Sequence, residues 1–144
     1  KVKDMLEDNF LFTYGDGLSD IDINKLVKFH KSHNKLATLT AVYAPGRFGA
    51  LKIDNNKIKD FNEKPQGDGA KINGGFFVLN RQVIDYLVDE NTIFEKEPLE
   101  NLASDGELIA FDHEGFWHAM DTLRDKNYLN EIWNSNNAPW KFTE

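Results

Sequence analysis

Phe10-Leu11-Phe12-Thr13-Tyr14-Gly15-Asp16-Gly17 is an apolar run that stops abruptly at a glycine-bracketed carboxylate. The run is long enough for a buried strand, and two glycines let the backbone turn sharply and approach a ligand closely. Asp16 is left at the strand's carboxyl end, where ligands bind in open α/β sheets. A carboxylate there suits a magnesium ion or a ribose hydroxyl. The same octapeptide also reads as an Asp-Gly turn without chemistry.

Downstream, a helix is predicted over 22–33, capped by Asp22 or Ser19, with Ile23, Leu26, Val27 and His30 on one face. Leu36 to Tyr43 is β-branched and mostly apolar, as in a strand covered on both faces. Strand, helix and strand at this spacing predict a parallel βαβ unit. Gly49 to Ile53 and Lys57 to Asn62 flank Asp54-Asn55-Asn56, a hairpin signal, and Ile72 to Leu79 reads as another core strand. A short amphipathic helix is predicted over Arg81–Val88, and Pro98 opens a helix that runs to about Ser104. Leu108 to Asp112 and Phe116 to Met120 read as strands, and Leu123 to Asn134 as the last helix.

The 144 residues fit a single domain, and 40% apolar with 28% charged residues is an ordinary globular composition. No apolar run approaches the length of a transmembrane helix, so no membrane association is expected. A net charge of −7 argues against nucleic acid as a partner while leaving room for a small anion held by local cations and backbone N–H groups. The absence of cysteine excludes disulfides and thiolate metal sites and fits a reducing compartment, so the expected location is cytoplasmic.

Several short constellations carry possible chemistry. Asp121-Thr122 sits between a strand and a helix, where Asp121 is either an N-cap or a second metal carboxylate. Magnesium favours one or two carboxylates plus substrate phosphates, so Asp16 and Asp121 suffice if the fold brings them together. Glu63-Lys64-Pro65 ends a hairpin strand. Glu63 offers acceptors for sugar hydroxyls and Lys64 a point charge for a phosphate, or the two form a surface ion pair. Gly46 and Gly49 bound a loop with a lone cation, Arg47, and Asn73-Gly74-Gly75 offers an amide and backbone donors; both also read as simple turns or bulges. His30 and His33 are expected on the helix surface or half-buried, and the three tryptophans as core or interface anchors.

Taken in order, Phe12–Gly17, Pro45–Leu51, Phe61–Gly69, Ile72–Leu79 and Met120–Lys126 resemble the sugar-nucleotide pyrophosphorylases of the nucleotidyltransferase superfamily. Within them the likeness is to the glucose-1-phosphate cytidylyltransferase family, because Tyr-Gly-Asp-Gly stands where uridylyl- and thymidylyltransferases more often show Gly-Asp-Asn. The resemblance implies an α/β, Rossmann-like fold with a mixed, mostly parallel sheet and helices on both faces. It implies conversion of CTP and α-D-glucose 1-phosphate to CDP-glucose and pyrophosphate, on the way to dideoxysugars of bacterial polysaccharides. Mg2+ would be held by Asp16 and Asp121. Gly15 would contact substrate through its backbone, Glu63 would hold glucose hydroxyls and Lys64 the sugar phosphate. Gly49, Asn73 and Gly74 would line the sugar pocket. Asp16, Asp121 and Lys64 form the expected catalytic set. The family's Gly-Gly-x-Gly-Thr-Arg-Leu loop is absent, so the resemblance implies a C-terminal portion, incomplete at the N-terminus and inactive alone. A homo-oligomer is expected of the full-length protein, with Asn137 to Phe142 either at its interface or docked on its own core. The alternatives are a related transferase using UTP, dTTP or GTP, and a non-catalytic sugar-phosphate-binding module.

Overall fold

The computed structural model describes residues 3–46, 50–54, 56–62 and 70–141. Its elements are β1 (Asn9–Thr13), β2 (Gly17–Ser19), α1 (Ile23–His33), β3 (Ala37–Val42), β4 (Ala50–Asp54), β5 (Lys57–Asn62), β6 (Ile72–Asn80), α2 (Glu97–Ser104), β7 (Leu108–Asp112), β8 (Trp117–Ala119) and α3 (Leu123–Asn134). The chain is organised as two compact units. One comprises Lys1–Gly15, Ile21–Ala41 and Asn73–His113; the other comprises Asp16–Asp20, Val42–Ile72 and Glu114–Glu144.

The main sheet runs β1-β6-β3-β7, with β1–β6 antiparallel and β3–β7 parallel. The α/β architecture and the mixed sheet are as expected, but the strands are not mostly parallel: β2–β8 and β4–β5 are antiparallel too, and β6 runs back between two strands that begin beside its end. The neighbour order also differs. β1 and β3, expected as neighbours in a βαβ unit, are separated by β6. Asn80, the last residue of β6, pairs with Asn9 and donates its N–H to Leu36 O at 2.7 Å, so β1 and β3 both begin beside the end of β6. Local pattern specifies a strand but not which strand it lies beside.

β6 shows why helices cover both faces in the first unit. Its side chains alternate, and the two parities feed two cores. Phe77 and Leu79 pack with Ala37, Val83 and Leu102, under α2 and the 3₁₀ helix Arg81–Tyr86. Val78 packs with Ile21 and Leu26, with Val27, Phe76 and Phe111 against them, on the α1 side. Phe77 and Leu26 are fully buried, and each contributes about 1.5–3 kcal/mol over an exposed side chain. β3 is buried at Ala37, Thr38, Thr40 and Val42, so it is covered on both faces as its composition predicted.

Three expectations are corrected. β1, read as a buried strand, lies at the end of the sheet order, and Leu11 is 55% exposed. Its hydrophobicity is spent on one neighbour and on Phe12, whose ring meets Phe77 and Phe94 at 5.6 and 5.7 Å. The helix expected over Arg81–Val88 is a six-residue 3₁₀ turn ending at Tyr86, opened by Asn80 Oδ1 accepting from Gln82 N at 2.9 Å. His30 is not on the surface: it is buried against Thr38.

Asp22, rather than Ser19, caps α1: its Oδ1 accepts from Lys25 N at 3.0 Å, and that bond holds the carboxyl below its usual pKa. Asp22→Ala leaves a first-turn donor unpaired and is expected to lower Tm by a few degrees, read by thermal unfolding.

In the second unit β4 and β5 form the predicted hairpin, with Asn56 at φ 61° in its turn. The C-terminal tail docks on its own unit: Ala138 is buried, the Trp140 ring lies 5.1 Å from Phe116, and Lys141 Nζ sits 5.1 Å from the Trp133 ring. No described helix is long and apolar enough to cross a membrane.

Candidate functional site

Gly17–Ser19 is too short and too glycine-rich for periodicity to reveal it as a strand, yet it organises the site. It pairs antiparallel with β8, Gly17 opposite Ala119 and Ser19 opposite Trp117. Ser19 Oγ donates to Phe116 O at 2.8 Å, and Asp20 N donates to the same carbonyl at 3.2 Å. At the other end Met120 N donates to Asp16 O at 2.8 Å. Asp16 stands immediately before β2 and Asp121 two residues beyond β8. Because the strands are antiparallel, both aspartates emerge from the same end of one ladder, and both are exposed there.

The segment after β8 is tightly held. Thr122 caps α3 in a reciprocal capping box: its Oγ1 accepts from Asp125 N at 3.2 Å, and its own N–H donates to Asp125 Oδ2 at 2.9 Å. The Thr122 hydroxyl also donates to Oδ2, at 2.7 Å. His118 Nε2 lies 3.1 Å from the other oxygen, Oδ1. Asp125 is only 8% exposed, and the Thr122 hydroxyl bond, then His118, keep its carboxyl below the ordinary range despite burial. Asp121, Thr122, Arg124, His118, Tyr128 and Gly46 are among the residues that line a cavity of about 740 Å³ in this unit. Asp121 faces this cavity, and with Asp16 at the same ladder end the two carboxylates are hard oxygen donors of the kind that suits Mg2+. Among the described residues no group of three or more His, Asp or Glu could hold a metal ion, so a cation held by this pair would take most of its coordination from substrate and water.

The other site residues read from sequence fall differently. Asn73, Gly74 and Gly15 belong to the first unit. There Asn73 Nδ2 donates to Tyr14 OH at 2.9 Å and its Oδ1 accepts from Gly75 N at 2.8 Å, so the amide braces the strand it stands on. Gly75, not Gly74, is the glycine the backbone requires: its φ is +76°, and a Cβ there would lie 2.6 Å from the Tyr14 ring. Gly49, Glu63 and Lys64 lie outside the described residues. Sequence reading assigned no role to His118 or Asp125. The spacing Thr122-x-x-Asp125 before an apolar helix was the available signal for the second.

A family model described as Nucleotidyl transferase matches residues 1–130. The chain belongs to that family. This nucleotidyl transferase chain is 58% identical over 143 residues to the glucose-1-phosphate cytidylyltransferase of Salmonella typhi, covering 99% of the chain and 55% of that relative. It is 35% identical to the mannose-1-phosphate guanylyltransferase catalytic subunit beta of Dictyostelium discoideum, covering 89% of the chain and 37% of the relative. Among solved structures, HddC from Yersinia pseudotuberculosis matches with a TM-score of 0.66 at 20% identity, over 92% of the chain and 59% of that protein. That likeness concerns fold. The chain thus spans about half the length of the curated relatives it matches.

Proposed function

We propose that the complete protein containing this chain transfers a cytidylyl group from CTP to α-D-glucose 1-phosphate, forming CDP-glucose and pyrophosphate. The observation that carries the reading is the β2–β8 ladder, which sets Asp16 beside Met120 and thereby next to Asp121 at one exposed strand end. The 58% identity to a glucose-1-phosphate cytidylyltransferase supports the choice of sugar and base.

In this reaction a phosphate oxygen of glucose 1-phosphate attacks the α-phosphorus of CTP, the new P–O bond forms, and the bond to the bridging oxygen of pyrophosphate breaks in line. No covalent protein intermediate is needed, so the protein's work is positioning two anions and offsetting their repulsion. Asp16 and Asp121 would hold Mg2+, which supplies charge neutralisation on the phosphate oxygens when bound. The antiparallel ladder keeps the two carboxylates at a common edge before substrate arrives, so little reorganisation is left for the reacting complex. Lys64 would bring the sugar phosphate to the nucleotide and Glu63 would hold the glucose hydroxyls, in a cytoplasmic enzyme.

The test is pyrophosphate release by the complete protein with glucose 1-phosphate and each of CTP, UTP, dTTP and GTP, with and without Mg2+. CTP is expected to give the highest kcat/KM, and chelation to abolish turnover. Preference for another nucleotide would replace the cytidylyl assignment. Binding of glucose 1-phosphate with no pyrophosphate from any nucleotide would show a binding module instead.

A further inference from the structure

We infer that Asp125 and His118 are positioning residues for Asp121: one buried carboxylate fastens both ends of the three-residue segment that carries it. The inference rests on the metal-binding reading of Asp16 and Asp121 given above.

Between His118 and the α3 cap Thr122 lie Ala119, the last residue of β8, and the exposed Met120 and Asp121, and an exposed link is free to wander unless its ends are tied. Its ends are tied to the same group. On the strand side His118 Nε2 reaches Asp125 Oδ1 at 3.1 Å; on the helix side Thr122 N and Oγ1 reach Oδ2 at 2.9 and 2.7 Å. A third tie, Met120 N to Asp16 O at 2.8 Å, binds the middle of the link to the residue bearing the other carboxylate. Capping α3 requires only Oδ2. Oδ1 meets the His118 ring, which lies 5.0 Å from Tyr128 and stacks at 6.5 Å and 21° on Phe116. Such a clamp matches the way buried outer groups orient exposed metal carboxylates.

The experiment is titration of the complete protein with Mn2+, the free ion counted by electron paramagnetic resonance. His118→Leu, which removes the donor to Asp125, is expected to weaken Mn2+ binding roughly tenfold. His118→Gln, which restores an N–H donor, should recover most of that affinity. Two controls separate the possible failures. Asp121→Asn should weaken Mn2+ binding well beyond His118→Leu; if it binds Mn2+ like wild type, or if wild type binds none, the metal reading itself falls. Leu129→Ala loosens the buried face of α3 without touching the clamp, and should leave affinity near wild type. If Asp121→Asn loses Mn2+ while His118→Leu binds like wild type, or if Leu129→Ala weakens binding as much as His118→Leu, the positioning role is overturned.

Discussion

Asp121→Ala in the complete protein is expected to lower kcat about 10²–10³-fold, roughly 3–4 kcal/mol of transition-state stabilisation, as for loss of one preorganised electrostatic group. The physical reason is the crowding of negative charge when a sugar phosphate approaches the α-phosphorus. Asp121 lies just beyond a ladder whose opposite strand is preceded by Asp16, so in the proposed site removal of either carboxylate would leave the other to hold the cation alone. Raising Mg2+ should recover part of the loss in Asp121→Asn, which keeps one oxygen donor, and less in Asp121→Ala. The thermal midpoint should change little in either, because Asp121 is exposed and Thr122 with Asp125 caps α3 without it. Steady-state kinetics across a Mg2+ series, with Tm beside it, checks this. Wild-type turnover in Asp121→Ala at limiting Mg2+ would remove Asp121 from the metal site.

The second large effect is on stability. Lys35 N–H donates to His33 Nδ1 at 3.1 Å, so that nitrogen must be the acceptor and the His33 proton must sit on Nε2. His33 Nε2–H then donates to Thr38 Oγ1 at 2.8 Å, which turns the threonine hydrogen toward His30 Nδ1, also at 2.8 Å. His30 in turn carries its proton on Nε2 and donates to Asn9 Oδ1 at 3.1 Å. One unambiguous backbone donor thus sets the direction of a chain that ties α1 to β3 and β1, with both imidazoles neutral. Thr38→Val keeps the shape and removes the central link, leaving a buried acceptor on His30 and a donor on His33 unpaired. The expected cost is about 1–3 kcal/mol, while Thr38→Ser should fold like wild type.

The same chain makes stability depend on pH. Burial, chiefly, lowers both histidines from the ordinary value of 6.5; His33 and Lys31 add to it at His30, and Lys35 adds to it at His33 against an opposing pull from Glu107. The unfolded chain therefore takes up protons near pH 6.5 that the folded chain refuses. The stabilisation is present above that pH and is lost as pH falls from it through the lower folded values. Urea midpoints at pH 7.5, 6.5 and 5.5 should decline in that order. Imidazole nitrogen shifts that place the proton on Nδ1, or a Thr38→Val chain as stable as wild type, would break the argument.

Much of this protein was readable in its amino-acid order because the relevant forces are local. The turn before Lys57 forces a hairpin, Asp22 begins a helix where its side chain can accept a first-turn N–H bond, and Pro98 opens α2. The cap of the last helix stands one residue later than expected: it is Thr122, not Asp121. Asp16 and Asp121 stood out because each marks a boundary between elements. Other features depend on which neighbour a residue meets. Gly17–Ser19 carries no pattern and becomes a strand only because Trp117–Ala119 offers it a ladder. His30 shares the helix face of Leu26 and Val27, but its residue type argued for the surface; Thr38 and Asn9 meet both its nitrogens, so burial costs it little.

Element type, helix caps and the two candidate carboxylates follow from short-range chemistry along the chain. The insertion of β6 between β1 and β3, the edge position of β1, the meeting of Asp16 with the Asp121 segment and the Asp125 clamp come only from the folded arrangement. Each is a contact between residues distant in sequence, and no local propensity encodes which of several compatible partners will be met.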